Sequence, residues 1–318
     1  MSDFLRTAGR ALLIGFEGAR PDDATLSAVR ALGPAGAILF RRNLDDVRLL
    51  PALIDDLSRA IPSPVLLAID QEGGRVSRLE PWIGPTPPAA EIASRGEDAA
   101  RRFGASTGRV LRALGFNLDF APVVDLSEAD ARNGLGDRSF GTDSRRVAAL
   151  AGAFLRGLQS SGVAGCLKHF PGLGRTDVDS HREMPTCALG LERLESEDLV
   201  PFRALAGETA AVMVGHGHYP ALDPAPRPAS LSPEIVGGLL RRSLGYRGLV
   251  VTDDLEMGAA APRDEHGSAA VEAVRAGCDL VLYCRDLDRA ALAREALATE
   301  AGRDPSFARR LARAAAAV

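Results

Sequence analysis

The segment 168–181 holds the densest group of side chains in this sequence that could carry out acid–base chemistry. It reads KHFPGLGRTDVDSH, with Lys168 and His169 at its start and Asp179 and His181 at its end. An imidazole titrates near neutral pH, so His181 could donate a proton and later accept one, with Asp179 orienting the ring. The Gly and Pro residues between the two pairs predict a loop. The segment therefore predicts an acid–base dyad carried on a loop.

A carboxylate that could act as a nucleophile follows another apolar run. Asp253 comes after the run Leu249–Val251 and one further residue, Thr252. A nucleophile must be held at a fixed, short distance from the carbon that it attacks, and a strand end holds a side chain better than a loop does. Hydrolysis of a sugar acetal needs such a group and an acid that protonates the leaving oxygen. We assign the first role to Asp253, with its neighbour Asp254 as the alternative.

Further polar side chains lie beyond other apolar runs and could bind the hydroxyl groups of a sugar. The candidates are Asp70, Arg78, Arg138, Lys168 and His169. Lys168 and His169 could instead form ion pairs with Asp125 or Glu72. Such pairs would still hold the two side chains in place for a sugar. We assign Glu72 a structural role, although an Asp70–Glu72 acid pair is an alternative mechanism. The residue types therefore favour a polyol ligand.

Strand-length apolar runs alternate with helical patterns along the whole chain. The apolar runs are Ala11–Phe16, Ala35–Phe40, Val65–Ile69, Phe116–Val124, Val163–Leu167, Ala210–Val214, Leu249–Val251 and Leu280–Tyr283. The helical patterns are Asp22–Leu32, Leu44–Ala60, Asp98–Leu114, Ser144–Ser160, Arg193–Ala206, Pro233–Ser243, Ser268–Ala276 and Asp288–Glu300. Continuous apolar strands suit a parallel sheet that is covered on both faces. The alternation predicts an α/β fold, a (β/α)8 barrel with its site at the strand carboxyl ends. A doubly wound open sheet is the alternative, because alternation alone cannot show closure.

Composition and charge limit the classes of partner. The net charge is −4 and the basic residues are scattered, so we expect no nucleic-acid partner. The sequence has no H-x-x-x-H or H-E-x-x-H spacing and no Gly-rich dinucleotide fingerprint, so we expect neither a metal nor an organic cofactor. The sequence shows no apolar leader and no bilayer-length apolar stretch, so we expect a cytoplasmic protein that does not bind membranes. We also expect a monomer. We expect one domain, residues 1–318, that ends in a helix over Phe307–Val318.

Five motifs, in the same order along the chain, resemble glycoside hydrolase family 3 and its single-domain bacterial β-N-acetylhexosaminidases. They are Asp70-Gln71-Glu72-Gly73-Gly74-Arg75-Val76, Phe120-Ala121-Pro122-Val123-Val124-Asp125, Arg138-Ser139-Phe140, Lys168-His169-Phe170-Pro171-Gly172 with Asp179-Ser180-His181, and Thr252-Asp253-Asp254-Leu255-Glu256-Met257. The resemblance implies a barrel and a retaining mechanism with Asp253 as nucleophile and the Asp179–His181 pair as acid and base. It implies that the sugar-binding candidates hold an N-acetylglucosamine unit. It also implies a peptidoglycan fragment as substrate, N-acetylglucosamine linked to anhydro-N-acetylmuramic acid, and no cofactor.

One position departs from the family pattern. The family usually has Gly-His-Gly after Phe-Pro, where this chain has Gly172-Leu173-Gly174. The change replaces a polar ring by an aliphatic group, so we expect loop closure or leaving-group contacts to differ while the dyad stays intact. Two alternatives within the enzyme class are a β-glucosidase and a glycoside phosphorylase, since a neutral His repels phosphate less than a carboxylate does. A sugar-binding protein without activity is the alternative from another class.

Overall fold

The centre of the molecule is a closed barrel of eight parallel strands. The computed structural model describes residues 2–127, 133–180 and 183–318. Its strands are β1 (Leu12–Ile14), β2 (Gly36–Leu39), β3 (Leu66–Ile69), β4 (Gln71–Gly73), β5 (Val76–Ser77), β6 (Leu118–Asp119), β7 (Ala164–Phe170), β8 (Ala211–Val214), β9 (Leu249–Asp254) and β10 (Leu280–Tyr283). The order around the barrel is β1-β10-β9-β8-β7-β6-β3-β2, and β4 and β5 form a separate antiparallel hairpin. Because β1 pairs with both β2 and β10, the sheet is closed, which confirms the predicted barrel and rules out the open sheet.

Alternate residues of each strand face opposite sides of the barrel wall. In β1, Leu12 and Ile14 pack in the large cluster that includes the helices, whereas Leu13 belongs to a second cluster. Strand β2 repeats the pattern, with Ile38 in the second cluster. This second cluster fills the barrel interior, so both faces of the strands are buried. Burial on both faces explains why the strands read as continuous apolar runs.

Helices surround the barrel and follow its strands. They are α1 (Ser2–Gly9), α2 (Asp23–Leu32), α3 (Leu50–Ala60), α4 (Glu80–Ile83), α5 (Ala89–Ser94), α6 (Glu97–Ala113), α7 (Ser144–Gln159), α8 (Leu191–Arg193), α9 (Leu199–Leu205), α10 (Ser268–Ala276), α11 (Leu287–Arg303) and α12 (Pro305–Ala316). Two segments are π-helical, Leu194–Asp198 and Pro233–Ser243. Short 3-10 turns occupy Arg41–Asn43, Val47–Leu49, Gly136–Arg138, Ala229–Leu231, Ala261–Arg263 and Glu265–Gly267.

Side-chain caps fix several helix starts where the sequence places a capping residue. Asp143 accepts a hydrogen bond from the backbone N–H of Arg146 at the start of α7. Ser232 accepts one from Ile235, and Pro233 takes the first helical position, where its missing N–H costs nothing. These local signals account for the agreement between predicted and observed helix starts.

Some predicted boundaries differ from the structure. The helix predicted over Leu44–Ala60 begins only at Leu50, because Pro51 starts it and two 3-10 turns precede it. Strands β7 and β9 continue past their apolar runs to Phe170 and Asp254. Strand pairing depends on backbone groups, so it continues through polar residues that an apolar pattern treats as the strand end. No helix in the described ranges combines the length and apolar character needed to cross a bilayer.

Candidate active site

A cleft of about 930 Å³ opens at the carboxyl ends of the barrel strands. Every predicted site residue that the structure describes lines it, namely Asp70, Arg78, Arg138, Lys168, His169, Asp179 and Asp253. His181 lies outside the described residues. The floor is apolar and belongs to the barrel interior, with Phe120 and Met213 among its residues. The cleft therefore joins polar residues from distant parts of the sequence, as the barrel topology predicts.

Lys168 forms the centre of a buried ion network on one side of the cleft. Its Nζ lies 2.8 Å from Asp70 Oδ1 and 2.6 Å from Glu72 Oε1, and the side chain is 3% exposed. Burial alone would lower the pKa of Lys168, but the two carboxylates outweigh it and raise that pKa. Burial alone would raise the pKa of Asp70, but the positive charges of Lys168 and Arg78 outweigh it, so the pKa of Asp70 is lowered. Lys168 and Asp70 are therefore both charged at neutral pH.

Two arginines complete this network. Arg138 binds Glu72 through two parallel hydrogen bonds, Nε to Oε2 and Nη2 to Oε1, both 2.8 Å long. The Arg78 Nη2 donates to Asp70 Oδ2 at 3.2 Å, while the buried Nε of Arg78 has no hydrogen-bond partner among the described residues. Cations and carboxylates thus alternate along the network. Such fixed donors and acceptors suit a ligand with several hydroxyl groups.

His169 is oriented by a buried carboxylate. Its Nδ1 lies 2.7 Å from Asp125 Oδ2, and Asp125 is 1% exposed. Because a carboxylate only accepts, Nδ1–H donates and Nε2 is left for a ligand in the cleft. Asp125 Oδ1 also accepts from the backbone N–H of Leu173 at 2.7 Å. One carboxylate therefore holds both the ring and the start of the loop that follows β7.

Asp253 and Asp254 both lie at the end of β9 and line the cleft. The backbone N–H of Asp254 donates to Asp253 Oδ1 at 2.8 Å. The side-chain Oδ1 of Asp254 accepts hydrogen bonds from the backbone N–H groups of Glu256 and Cys284, at 3.1 and 3.3 Å. Burial raises the pKa of Asp254 to about 7. The Asp254 side chain therefore bonds to the backbone of two other segments, and Asp253 stays the candidate nucleophile of the pair.

Asp179 lies on the loop side of the cleft, against Gly134. A Cβ at Gly134 would lie 2.8 Å from Asp179 Oδ2, and the φ of +81° at Gly134 also favours glycine. Arg75 donates through Nη2 to the carbonyls of Gly134 and Leu135, and thereby holds this neighbouring segment. The predicted dyad residue Asp179 is thus next to the cleft on a segment that packs against the loop after β6.

Leu173, the departure from the family pattern, is packed rather than exposed. It is 5% exposed and forms a small apolar cluster with Val123 and Leu135. A Cβ added to Gly215 would lie 3.1 Å from Leu173 Cδ1, and a Cβ added to Gly217 would lie 3.1 Å from Leu173 Cδ2. The aliphatic side chain therefore contributes to the wall of the cleft and to the packing of the loop.

One buried group, His216, has no role predicted from the sequence. His216 is fully buried and donates from Nε2 to the Asp254 carbonyl at 2.9 Å. Its position just after β8 is a signal in the sequence, but its partner comes from another strand. Across residues 2–127, 133–180 and 183–318, no group of three or more His, Cys, Asp or Glu side chains could hold a metal ion.

Comparison with known proteins relates this arrangement to characterised folds. A family model described as "Glycosyl hydrolase family 3 N terminal domain" matches residues 9–312. A beta-hexosaminidase of Pseudomonas aeruginosa is 40% identical over 267 residues, 82% of this chain and 78% of that protein. A beta-hexosaminidase of Xylella fastidiosa is 39% identical over 302 residues, 92% of this chain and 87% of that protein. The structure of a glycoside hydrolase family 3 β-N-acetylglucosaminidase from Paenibacillus sp. matches with a TM-score of 0.88 at 38% identity. It covers 98% of this chain, which spans 61% of the Paenibacillus protein.

Proposed function

Because this chain belongs to glycosyl hydrolase family 3 and is a glycoside hydrolase, we propose that it is a retaining exo-β-N-acetylglucosaminidase. One observation carries the proposal: Asp253, the Lys168 ion network and Asp179 all line the same cleft. Retaining hydrolysis requires a nucleophile and a group that protonates the leaving oxygen. The fixed carboxylate and the loop-borne dyad would supply these two groups, and the charged network would bind the hydroxyls. The names of the relatives support N-acetylhexosamine as the sugar.

In the first step Asp253 attacks the anomeric carbon and the bond to the leaving oxygen breaks. His181, oriented by Asp179, gives its proton to that oxygen. The product is a glycosyl-enzyme in which the sugar is esterified to Asp253. The placement of Asp179 beside the cleft supports the dyad, and the assignment of His181 itself rests on the sequence.

In the second step water releases the sugar. His181, now the base, removes a proton from a water molecule, which attacks the same carbon and frees the Asp253 carboxylate. Each step inverts the anomeric carbon, so the β configuration is retained. The network of Asp70, Arg78, Lys168 and Arg138 with the His169 Nε2 binds the sugar hydroxyls during both steps.

Peptidoglycan fragments are the substrate that we propose for this activity. This part of the proposal rests on the resemblance of the motifs to enzymes that recycle peptidoglycan. The cytoplasmic location and the monomeric state are also predictions from the sequence. Assay of a purified N-acetylglucosaminyl-anhydro-N-acetylmuramyl peptide, with release of free N-acetylglucosamine as readout, addresses the substrate directly.

The variant Asp253→Ala tests the proposed function. We expect kcat on an aryl β-N-acetylglucosaminide to fall about 10⁴-fold, since the nucleophile is lost. Added azide should restore turnover and yield the α-glycosyl azide, because it attacks the face that Asp253 leaves open. The wild-type enzyme should cleave the aryl β-N-acetylglucosaminide far faster than the aryl β-glucoside, and should release free sugar rather than sugar 1-phosphate in phosphate buffer.

The matched control is Asp288→Asn, which neutralises an exposed carboxylate that lines the same cleft. We expect it to keep nearly full activity. Wild-type rates in Asp253→Ala protein would overturn the proposal. Equal losses in both variants would show that the charge of the cleft, and not a nucleophile, accounts for the effect.

A further inference from the structure

We propose that His216 is a positioning residue for the nucleophile, and that it acts through the backbone of Asp254. This inference rests on the proposed role of Asp253. His216 does not line the cleft and touches neither sugar nor water in the proposed reaction. Its effect passes along two hydrogen bonds, from the ring to Asp254 and from Asp254 to Asp253.

The His216 ring is completely enclosed and both of its nitrogens are bonded. Its Nε2 lies 2.9 Å from the Asp254 carbonyl oxygen, and its Nδ1 lies 2.8 Å from Ser230 Oγ. His216 and Ser230 are both 0% exposed. The ring therefore joins three segments, the end of β8, the 3-10 turn Ala229–Leu231 and the end of β9.

The partners of the ring determine which nitrogen carries the proton. A backbone carbonyl only accepts, so Nε2–H must donate to Asp254. In the neutral ring Nδ1 is then an acceptor, and the Ser230 hydroxyl donates to it. Burial lowers the pKa of His216, and Asp253, which faces it from β9, opposes this only in part, while the His169 ring lowers it further. The neutral Nε2–H form thus fits every bond that the structure shows.

Asp254 is the link between this ring and the nucleophile. Its backbone N–H donates to Asp253 Oδ1 at 2.8 Å, and its carbonyl accepts from His216. The same carbonyl accepts from the backbone N–H of Met257 at 3.0 Å. The carbonyl and the N–H lie in the two peptide planes that flank the Cα of Asp254, so fixing the carbonyl limits the φ and ψ changes that would turn the N–H away. His216 therefore keeps that N–H aimed at the attacking carboxylate.

An aligned N–H has two consequences for the reaction. It fixes the rotamer of Asp253, so that the carboxylate keeps one position in the cleft, and a donated hydrogen bond favours the charged form of a carboxylate. Small displacements of a reacting group are costly: about 1 Å of misplacement can lower a rate about 100-fold. Loss of the His216 bond should therefore lower kcat more than it weakens substrate binding.

The two amide variants of His216 separate its two bonds. Gln places its side-chain N–H₂ near the position of Nε2 and keeps a donor for the Asp254 carbonyl. Asn reaches only the position of Nδ1 and keeps a partner for Ser230. We expect His216→Asn to lower kcat about 100-fold with KM changed less than about threefold, and His216→Gln to lower kcat less than about fivefold. Each variant keeps one bond of the ring, so we expect similar melting temperatures.

The pH dependence of kcat/KM distinguishes a positioning role from a packing role, because a loss of packing alone would not shift it. We expect the acid limb of kcat/KM to shift to higher pH in His216→Asn and to stay near the wild-type position in His216→Gln. Equal losses of kcat in both variants, or an unshifted acid limb in His216→Asn, would overturn the inference. A failure of the proposed function can be distinguished from a failure of this inference. In that case Asp253→Ala would keep its activity, regardless of the results for the His216 variants.

Discussion

The two sides of the cleft are held in place by different means. On the strand side, Asp70, Lys168 and Asp253 lie in or next to barrel strands, and the ion network satisfies its buried charges with one another. On the loop side, Leu173 and Asp179 lie on a segment held by backbone hydrogen bonds and small apolar contacts. In the proposed reaction the strand side binds the sugar and attacks it, and the loop side brings the acid to the leaving oxygen.

A buried acid underlies the loop side and has no equivalent of the Lys168 network. Asp198 is 1% exposed, and neither of its carboxyl oxygens has a hydrogen-bond partner in the described part of the chain. A Cβ added to Gly172, near the start of the loop after β7, would lie 3.1 Å from the Cβ of Asp198. Burial raises the pKa of Asp198 to about 7, and Arg175 opposes the increase only in part.

Asp198 and the carboxylates of the ion network therefore respond to pH with opposite signs. The pKa values of Asp70 and Glu72 are lowered in the folded protein, so the strand side loses stability as pH falls through their folded values. The pKa of Asp198 is raised in the folded protein. Its contribution is complete below the ordinary pKa of an aspartate and is lost as pH rises towards about 7. The comparison predicts a stability maximum in mildly acidic solution.

The largest expected effect is on the strand side, in the variant Lys168→Met. It leaves two buried carboxylates next to each other, and removing one partner of a buried ion pair costs about 3–5 kcal/mol. We expect about 3 kcal/mol here, because Arg78 and Arg138 still neutralise one carboxylate each. Urea unfolding at pH 7 measures the change, and sugar binding should be lost with it.

Arg156→Met is the control for this prediction. Arg156 forms a half-exposed ion pair with Glu208 at 2.9 Å on the outside of the barrel. Such surface pairs contribute about 0–1 kcal/mol, so we expect a small change. If Lys168→Met cost no more than Arg156→Met, the strand side would not be held by its ion network.

A smaller effect is expected from Asp179→Asn on the loop side. The amide keeps the shape but cannot stabilise a positively charged imidazole, so protonation of the leaving oxygen should suffer. We expect natural disaccharides, which have poor leaving groups, to lose about 100-fold in kcat/KM, and an activated aryl glycoside to lose less than about tenfold. Equal losses on both substrates would contradict an acid role for the dyad.

The strand side could be predicted from the sequence and the loop side only in part. Lys168 and Asp253 follow apolar runs, and the barrel topology brings the ends of such runs together. The environment of Asp198 comes instead from a π-helical turn that packs under a distant loop, which no local pattern indicates. His216 likewise acquires its role from a carbonyl on another strand. Burial and partner choice at these positions depend on tertiary packing, so sequence patterns do not contain them.

The smallest expected effect, and the one that tests the opposite pH responses, is that of Asp198→Asn. From pH 5 to about pH 7 the folded wild-type protein holds a proton on Asp198 that the unfolded chain releases at lower pH. The free energy of unfolding should therefore fall over this range, by on the order of 2 kcal/mol from this group. The asparagine variant lacks the titration and should lose correspondingly less stability.

Asp254, whose pKa is also raised to about 7, remains in the variant and preserves part of the pH dependence. The difference between wild type and variant, and not either curve alone, therefore measures Asp198. Glu197→Gln is the matched control, because it removes a neighbouring carboxylate whose pKa is lowered by hydrogen bonds from Arg193. It should not reduce the loss of stability at alkaline pH. If the wild-type and Asp198→Asn curves stayed parallel from pH 5 to pH 8, the buried acid would not titrate in this window, and the contrast between Asp198 and the ion network would fail.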